Sequence, residues 1–169
     1  MSSNKVGDFA AAASSEAWRA ARYYLSASII GHFSWEILQL PLYTIWHSGT
    51  SLEQAFAVIH CTAGDILIAG FTLALAWLTL GYPGWPARHF KRVAMAATAL
   101  GLGYTVFSEW LNTSVHHNWA YSDLMPVIPL FGFELGLSPL LQWSLIPPVC
   151  FAYTGWRLIS RTVRRGNCF

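Results

Sequence analysis

The residues that could carry out acid/base chemistry lie where the surrounding sequence is most apolar. The run 109–119, EWLNTSVHHNW, closes a long apolar stretch that begins near Phe90. On a helix, Glu109, Asn112 and His116 fall at spacings of three and four and share one stripe with Thr98 and Thr105. Ser28, His32, Glu36, Gln39 and Tyr43 form a second stripe of the same period. Gln54, Cys61, Asp65 and Thr72 form a third, with His60 on its flank.

Glu36, Asp65 and Glu109 have no Lys or Arg inside their apolar stretches to pair with. An ionised carboxylate at the centre of a membrane helix is penalised by about 2.5–3.5 kcal/mol even on the lenient insertion scale. Three remedies are open. The acids can be protonated, they can pair with charged His32, His60, His116 or His117, or they can hold a cation. A protonated acid beside a histidine suits proton transfer to and from a hydrophobic substrate. Carboxylates with imidazoles suit a metal. A buried acid reached by water suits proton or cation movement.

In the acid/base reading, Glu36 and Glu109 are proton donor and stabilising carboxylate, in either order. Asp65 completes the catalytic set, His32 and His116 tune the acids, and Asn112 and Gln39 orient the substrate. Tyr121, Gln142 and Trp143 are further candidates for a substrate pocket. In the metal reading the ligands are His60, His116, Glu36 and Glu109. A two-histidine haem site is also open, because His32, His60 and His116 lie on three different segments. The repeated HxxxH boxes expected of membrane di-iron enzymes are absent. The plainer alternative for each stripe is interhelical hydrogen bonding, at about 0.6 kcal/mol per bond on average.

Composition fixes the medium in which this chemistry is expected. Of 169 residues, 54% are hydrophobic and 11% charged, against about 25% charged in soluble domains. A net charge of +2 is too small to argue for a nucleic-acid partner. Cys61, Cys150 and Cys168 share no CxxC spacing and suggest neither a disulfide framework nor a zinc knuckle. Neither a prenylation box nor a cleavable signal is apparent.

The expected fold is an all-α integral membrane bundle of four transmembrane helices, spanning 23–46, 54–80, 93–115 and 137–158. Segment 1–22 precedes it, with a short interfacial helix, and a basic tail, 159–169, follows it. Pro41 is expected to free a carbonyl within the first span, and Pro147 with Pro148 to kink or break the fourth. Pro126 and Pro129 interrupt 117–136, which reads as a semi-buried loop over the outer ends of the spans. Basic residues occur before the first span, between the second and third, and after the fourth, while 47–53 and 116–136 have none. That is the positive-inside pattern with both termini cytoplasmic, in a bacterial-type inner membrane. With this topology all three acids lie between the midplane and the outer surface.

The pairing of His32 with Glu36 on one span, and an acid on another, resembles small membrane sterol isomerases. The order Glu109, Tyr121, Pro126, Pro129, Trp143 resembles a stretch of membrane carotenoid cyclases and hydratases. Both resemblances imply protonation of an isoprenoid double bond by an acid, and neither carries over a site residue. The expectation is therefore an acid/base enzyme acting on a lipophilic, isoprenoid-type substrate. Its partners are membrane lipids, with a membrane-protein partner or a second copy of the chain also open. A metal- or haem-binding redox protein, a small transporter or an accessory subunit are the alternatives.

Overall fold

The longest element begins where the chain is still polar. In the computed structural model, which describes residues 3–166, helix α1 runs unbroken through Ser3–Gln39. At 1.5 Å per residue it is about 55 Å long, so the expected interfacial helix and first span are one rod. Its end departs from expectation. Pro41 does not sit inside a span reaching residue 46 but terminates the helix, as the start of the 3-10 turn Leu40–Leu42. Proline lacks an N–H and disfavours helix in the residue before it. The groups released there pair with the segment after α4. Ser122 N–H donates to Leu42 O at 2.9 Å, Ser122 Oγ to Pro41 O at 3.0 Å, and Thr44 N–H to Ala120 O at 3.0 Å.

One helical turn, α2 (Ile45–Ser48), leads to α3 (Ser51–Ala76). A capping box starts α3 three residues earlier than the apolar pattern implies. Glu53 N–H donates to Thr50 Oγ, and Thr50 N–H donates to the Glu53 carboxylate at 2.8 Å, satisfying two otherwise orphaned donors. A π turn, Trp77–Gly81, extends it. Ser51–Gly81, with mean hydropathy 1.7, is the one helix among the described residues that is long and apolar enough to cross a membrane by length and composition.

Helix α4 (Phe90–Trp110) ends in a second π turn, Leu111–Val115. The segment expected as a loop contains an antiparallel hairpin, β1 (Val127–Leu130) and β2 (Phe133–Gly136), with Val127 opposite Gly136 and Leu130 opposite Phe133. Its tip places Phe131 at φ 47° and Gly132 at φ 88°, the left-handed pair that a two-residue hairpin turn requires. Pro129 is tolerated because a two-stranded sheet has only edge strands.

Helix α5 (Leu137–Gly166) is continuous across Pro147 and Pro148, so a break does not occur. Packing holds the turn together, since Trp143, Ile146, Pro147, Cys150 and Phe151 are all buried. Cys61 and Cys150 are free thiols. Cys168 and the end of the basic tail lie outside the described residues.

Helix accounts for 78% of the chain, which is all-α in class apart from the hairpin. Each of α1 and α4 packs on both α3 and α5. Small residues let α1 approach closely: Ala17, Ala20 and Ala21 are buried, and Tyr24 stacks on Phe151 with centroids 4.2 Å apart. Outward faces carry large exposed apolar side chains, among them Ile30, Leu38, Leu67, Phe71, Met95 and Val149.

Among the described glycines the closest approach is Gly101 of α4 against the Trp143 ring of α5, where an added Cβ would overlap ring carbons Cζ3 and Cε3. Gly101→Ala is expected to lower stability by about 1–3 kcal/mol, as overpacking does. Gly103→Ala, which meets nothing within 4 Å, should be neutral or stabilising by up to about 1 kcal/mol. Thermal unfolding of the two purified variants checks the difference.

Candidate functional site

Two of the three expected stripes meet at a single amide. Gln142, 2% exposed on α5, places its Nε2 3.0 Å from His32 Nδ1, 2.9 Å from Glu36 Oε1 and 2.8 Å from Asp65 Oδ2. His32 and Glu36 come from α1 and Asp65 from α3, so one side chain ties three helices together. A primary amide nitrogen carries two hydrogens, and three acceptors compete for them. His32 Nδ1 also lies 3.4 Å from Asp65 Oδ2. His32 Nε2 is buried without a hydrogen-bond partner, and the Trp143 ring lies against the imidazole with centroids 5.0 Å apart.

An outer layer of donors fixes these acids. Gln39 Nε2 donates to Glu36 Oε1 at 2.8 Å, Ser138 Oγ to Gln39 Oε1 at 2.8 Å, and Trp35 Nε1 to Ser138 Oγ at 3.1 Å. Trp143 Nε1 donates to Asp65 Oδ1 at 3.2 Å. Gln39, Gln142 and Trp143, expected as substrate contacts, thus also position the carboxylates. Ser138 was not singled out in the sequence. Its signal is its place one helical turn before Gln142, which sets it on the same face of α5.

Glu109 stands apart from this cluster. It is buried on α4 and accepts a short hydrogen bond from Tyr121 Oη, and that hydroxyl in turn accepts the Gly136 N–H at 3.0 Å. Tyr43 and Tyr121 form an isolated antiparallel bridge. Trp119 Nε1 is buried near the Glu109 carboxyl but short of hydrogen-bond geometry.

A cavity of about 1100 Å³ joins the two groups. Its lining includes Glu36, Asp65, Glu109, Gln39, Gln142 and Trp143 of the expected set, together with Asn112 and His60. Apolar and aromatic walls come from Phe56, Ile68, Tyr104 and Trp119, and the described lining residues include no Lys or Arg. Glu53 lines one end, where the Thr50 backbone N–H and hydroxyl both donate to its carboxyl.

One expected member, His116, is not brought in, and His60 reaches the cavity only at its rim. His116 is exposed and outside the cavity lining. The π turn is the reason: its wider winding advances less angle per residue than an α-helix, so the stripe Glu109–Asn112–His116 does not continue past Asn112. His60 lines the cavity from an exposed position, its ring stacked on Phe56 at 5.5 Å. The metal reading is accordingly not supported. Among the described residues, no group of three or more His, Cys, Asp or Glu side chains is placed to hold a metal; in particular His60, His116, Glu36 and Glu109 do not form a ligand set. Asn112 donates to Ser108 O at 2.8 Å and accepts from Asn118 Nδ2 at 2.7 Å, tying the π turn to the segment that follows.

No protein-family model, curated protein or solved structure matches this chain. Buried carboxyl groups, some fixed by amide and indole donors and one facing a phenol, can hand protons to a ligand in the cavity and take them back.

Burial and the neighbouring Glu109 carboxyl push the Tyr121 phenol well above its ordinary range. A raised phenol contributes stability that is complete below the unfolded value of about 10 and is lost as pH climbs toward the folded value. Tyr121→Phe is expected to remove one late-ionising tyrosine from an alkaline phenolate titration and to flatten the loss of stability above about pH 10. Absorbance titration and unfolding across alkaline pH measure both.

Proposed function

We propose that this chain is a four-span membrane enzyme of a bacterial-type inner membrane, acting by acid/base catalysis on a lipophilic, isoprenoid-type substrate. The observation that carries the reading is the cavity itself: Glu36, Asp65 and Glu109 share one apolar-walled space without a basic partner. Glu109 acts as proton donor, since its carboxyl has a single side-chain hydrogen bond, from Tyr121. Glu36 and Asp65, held as a pair by Gln142, stabilise positive charge.

The chemistry balances within the site. Glu109 gives its proton to one carbon of a double bond and becomes a carboxylate. The π electrons form the new C–H bond and leave a cation on the other carbon. Glu36 then takes a proton from a neighbouring carbon, the C–H pair closes a new double bond, and the product is an isomer. A proton returned from Glu36 to Glu109 resets the enzyme. Electrostatic stabilisation of such a cation by pre-placed carboxylates is commonly the largest catalytic contribution.

Four spans are supported by the exposed apolar side chains on all four long helices, including Ile30, Leu67, Met95 and Val149. Isolated apolar side chains on a surface need no explanation, whereas contiguous bands of them do. Inward polar residues such as His32, Glu36 and Gln39 lower the average hydropathy of α1 while its outer face stays apolar. The basic residues Arg88, Lys91 and Arg92 lie around the start of α4 and Arg157 and Arg161 in the last part of α5, with none in 47–53 or 116–136, a distribution that supports the positive-inside topology.

Two outcomes are expected. In a background with the native cysteines replaced by Ser, Ser48→Cys and Phe131→Cys should both react with an impermeant thiol reagent added outside intact cells; protection of either from outside would refute the topology. Membranes incubated in deuterium oxide with isoprenoid lipids should incorporate solvent deuterium, read by mass spectrometry. Glu36→Gln and Glu109→Gln should each reduce this by about 100-fold or more, and full activity in both variants would end the enzyme reading.

A further inference from the structure

The cavity walls differ from its floor. Leu52, Phe56, His60 and Gly64 follow one another at intervals of four along α3, so they form a single ridge. Tyr104, Ser108 and Asn112 do the same on α4 and its π turn. All seven line the cavity, and Leu52, Phe56, His60 and Tyr104 are also exposed on the outer surface of the protein. The two ridges are therefore the lips of an opening in the side of the molecule. Glu36, Asp65, Gln142 and Trp143 form its floor. At Gly64 the passage is clear: a Cβ there would meet nothing within 4 Å.

Charge sets what can pass. Glu36, Glu53, Asp65 and Glu109 all contribute to the lining, and the described lining residues hold no Lys or Arg. A ligand with an anionic end would meet several carboxyl groups and no fixed cation, and like-charge juxtaposition of that kind is strongly unfavourable.

We infer that the opening between α3 and α4 is a lateral portal, gated by the missing side chain of Gly64, through which an uncharged long-chain lipid alcohol or hydrocarbon enters from the bilayer. This rests on the four-span reading proposed above and adds the route and the charge class of the ligand. A chain entering this way lies along Phe56 and Tyr104 and brings its leading end to Glu109 and Asp65. It need not leave the membrane to react.

The test is photolabelling of the full-length protein in lipid nanodiscs. The probes are a diazirine-bearing farnesol and the corresponding diazirine-bearing farnesoic acid, with adducts mapped by mass spectrometry. The alcohol should label cavity residues such as Phe56, Tyr104 and Trp119, and the acid should label them about tenfold less or weaker still. Gly64→Leu, whose Cβ meets nothing within 4 Å and whose branched end projects into the passage, should cut cavity labelling by the alcohol by a similar factor. Gly103→Leu, on open surface of α4, should leave it unchanged and controls for the added bulk.

Equal labelling by the two probes would overturn the charge class. Equal labelling of wild type and Gly64→Leu, or no cavity labelling in the wild type, would overturn the portal. Because the readout needs no turnover, it separates from the enzyme reading. Portal-dependent labelling without deuterium incorporation would leave the entry route standing and remove the acid/base chemistry.

Discussion

A single buried amide organises this protein. Gln142 donates into a space shared by His32, Glu36 and Asp65 and so couples α5 to α1 and α3 where each is most polar. Carboxyl groups removed from water are costly unless hydrogen-bonded, and each of these finds donors. Gln39, Ser138 and Trp35 extend the network behind Glu36, and Trp143 extends it behind Asp65. The network sets the rotation of three helices about their own axes, because any of them turned by one residue would leave a buried acid unsatisfied.

Trp143 links this polar centre to the close packing beside it. Its indole N–H reaches Asp65, its ring lies against His32, and the far edge of the ring rests on Gly101. A larger residue at position 101 would therefore disturb the acid cluster as well as the helix contact. Glu109 is held differently, through Tyr121, whose hydroxyl also receives the Gly136 N–H. The hairpin and the bridge between Tyr43 and Tyr121 thereby fix the second acid from outside the helices. One cavity is thus bounded by two kinds of support, a rigid interhelical network on one side and an outer segment on the other.

Much of this was legible in the residues. The period of Ser28, His32, Glu36 and Gln39 marked the inner face of α1, and all four are buried. Acids without basic partners in apolar stretches marked Glu36, Asp65 and Glu109 as a set, and all three line one cavity. Other features were not legible. The stripe through His116 assumed a regular α-helix, and the π turn at Leu111–Val115 rotates that residue outward. Pro41 reads as freeing a carbonyl within a span that continues to residue 46, whereas the helix stops there, and the hydrogen bonds from Ser122 and Thr44 make stopping favourable. Pro147 and Pro148 read as a kink or break, yet α5 is continuous, with Trp143, Ile146, Pro147, Cys150 and Phe151 buried along one face and Pro148 exposed on the other. Pro126 and Pro129 concealed a hairpin whose left-handed tip at Phe131 and Gly132 is a local backbone choice.

By itself the sequence determined the helical class, the inward face of α1 and the three acids without a counter-charge, because those follow from periodicity and composition. The tertiary structure alone decided how the acids divide. Gln142 gathers Glu36 and Asp65 with His32, while Tyr121 takes Glu109, across separations of 106, 77, 110 and 12 residues. No local pattern encodes such pairings. They arise when buried donors and acceptors on different helices must satisfy one another and only one packing allows it.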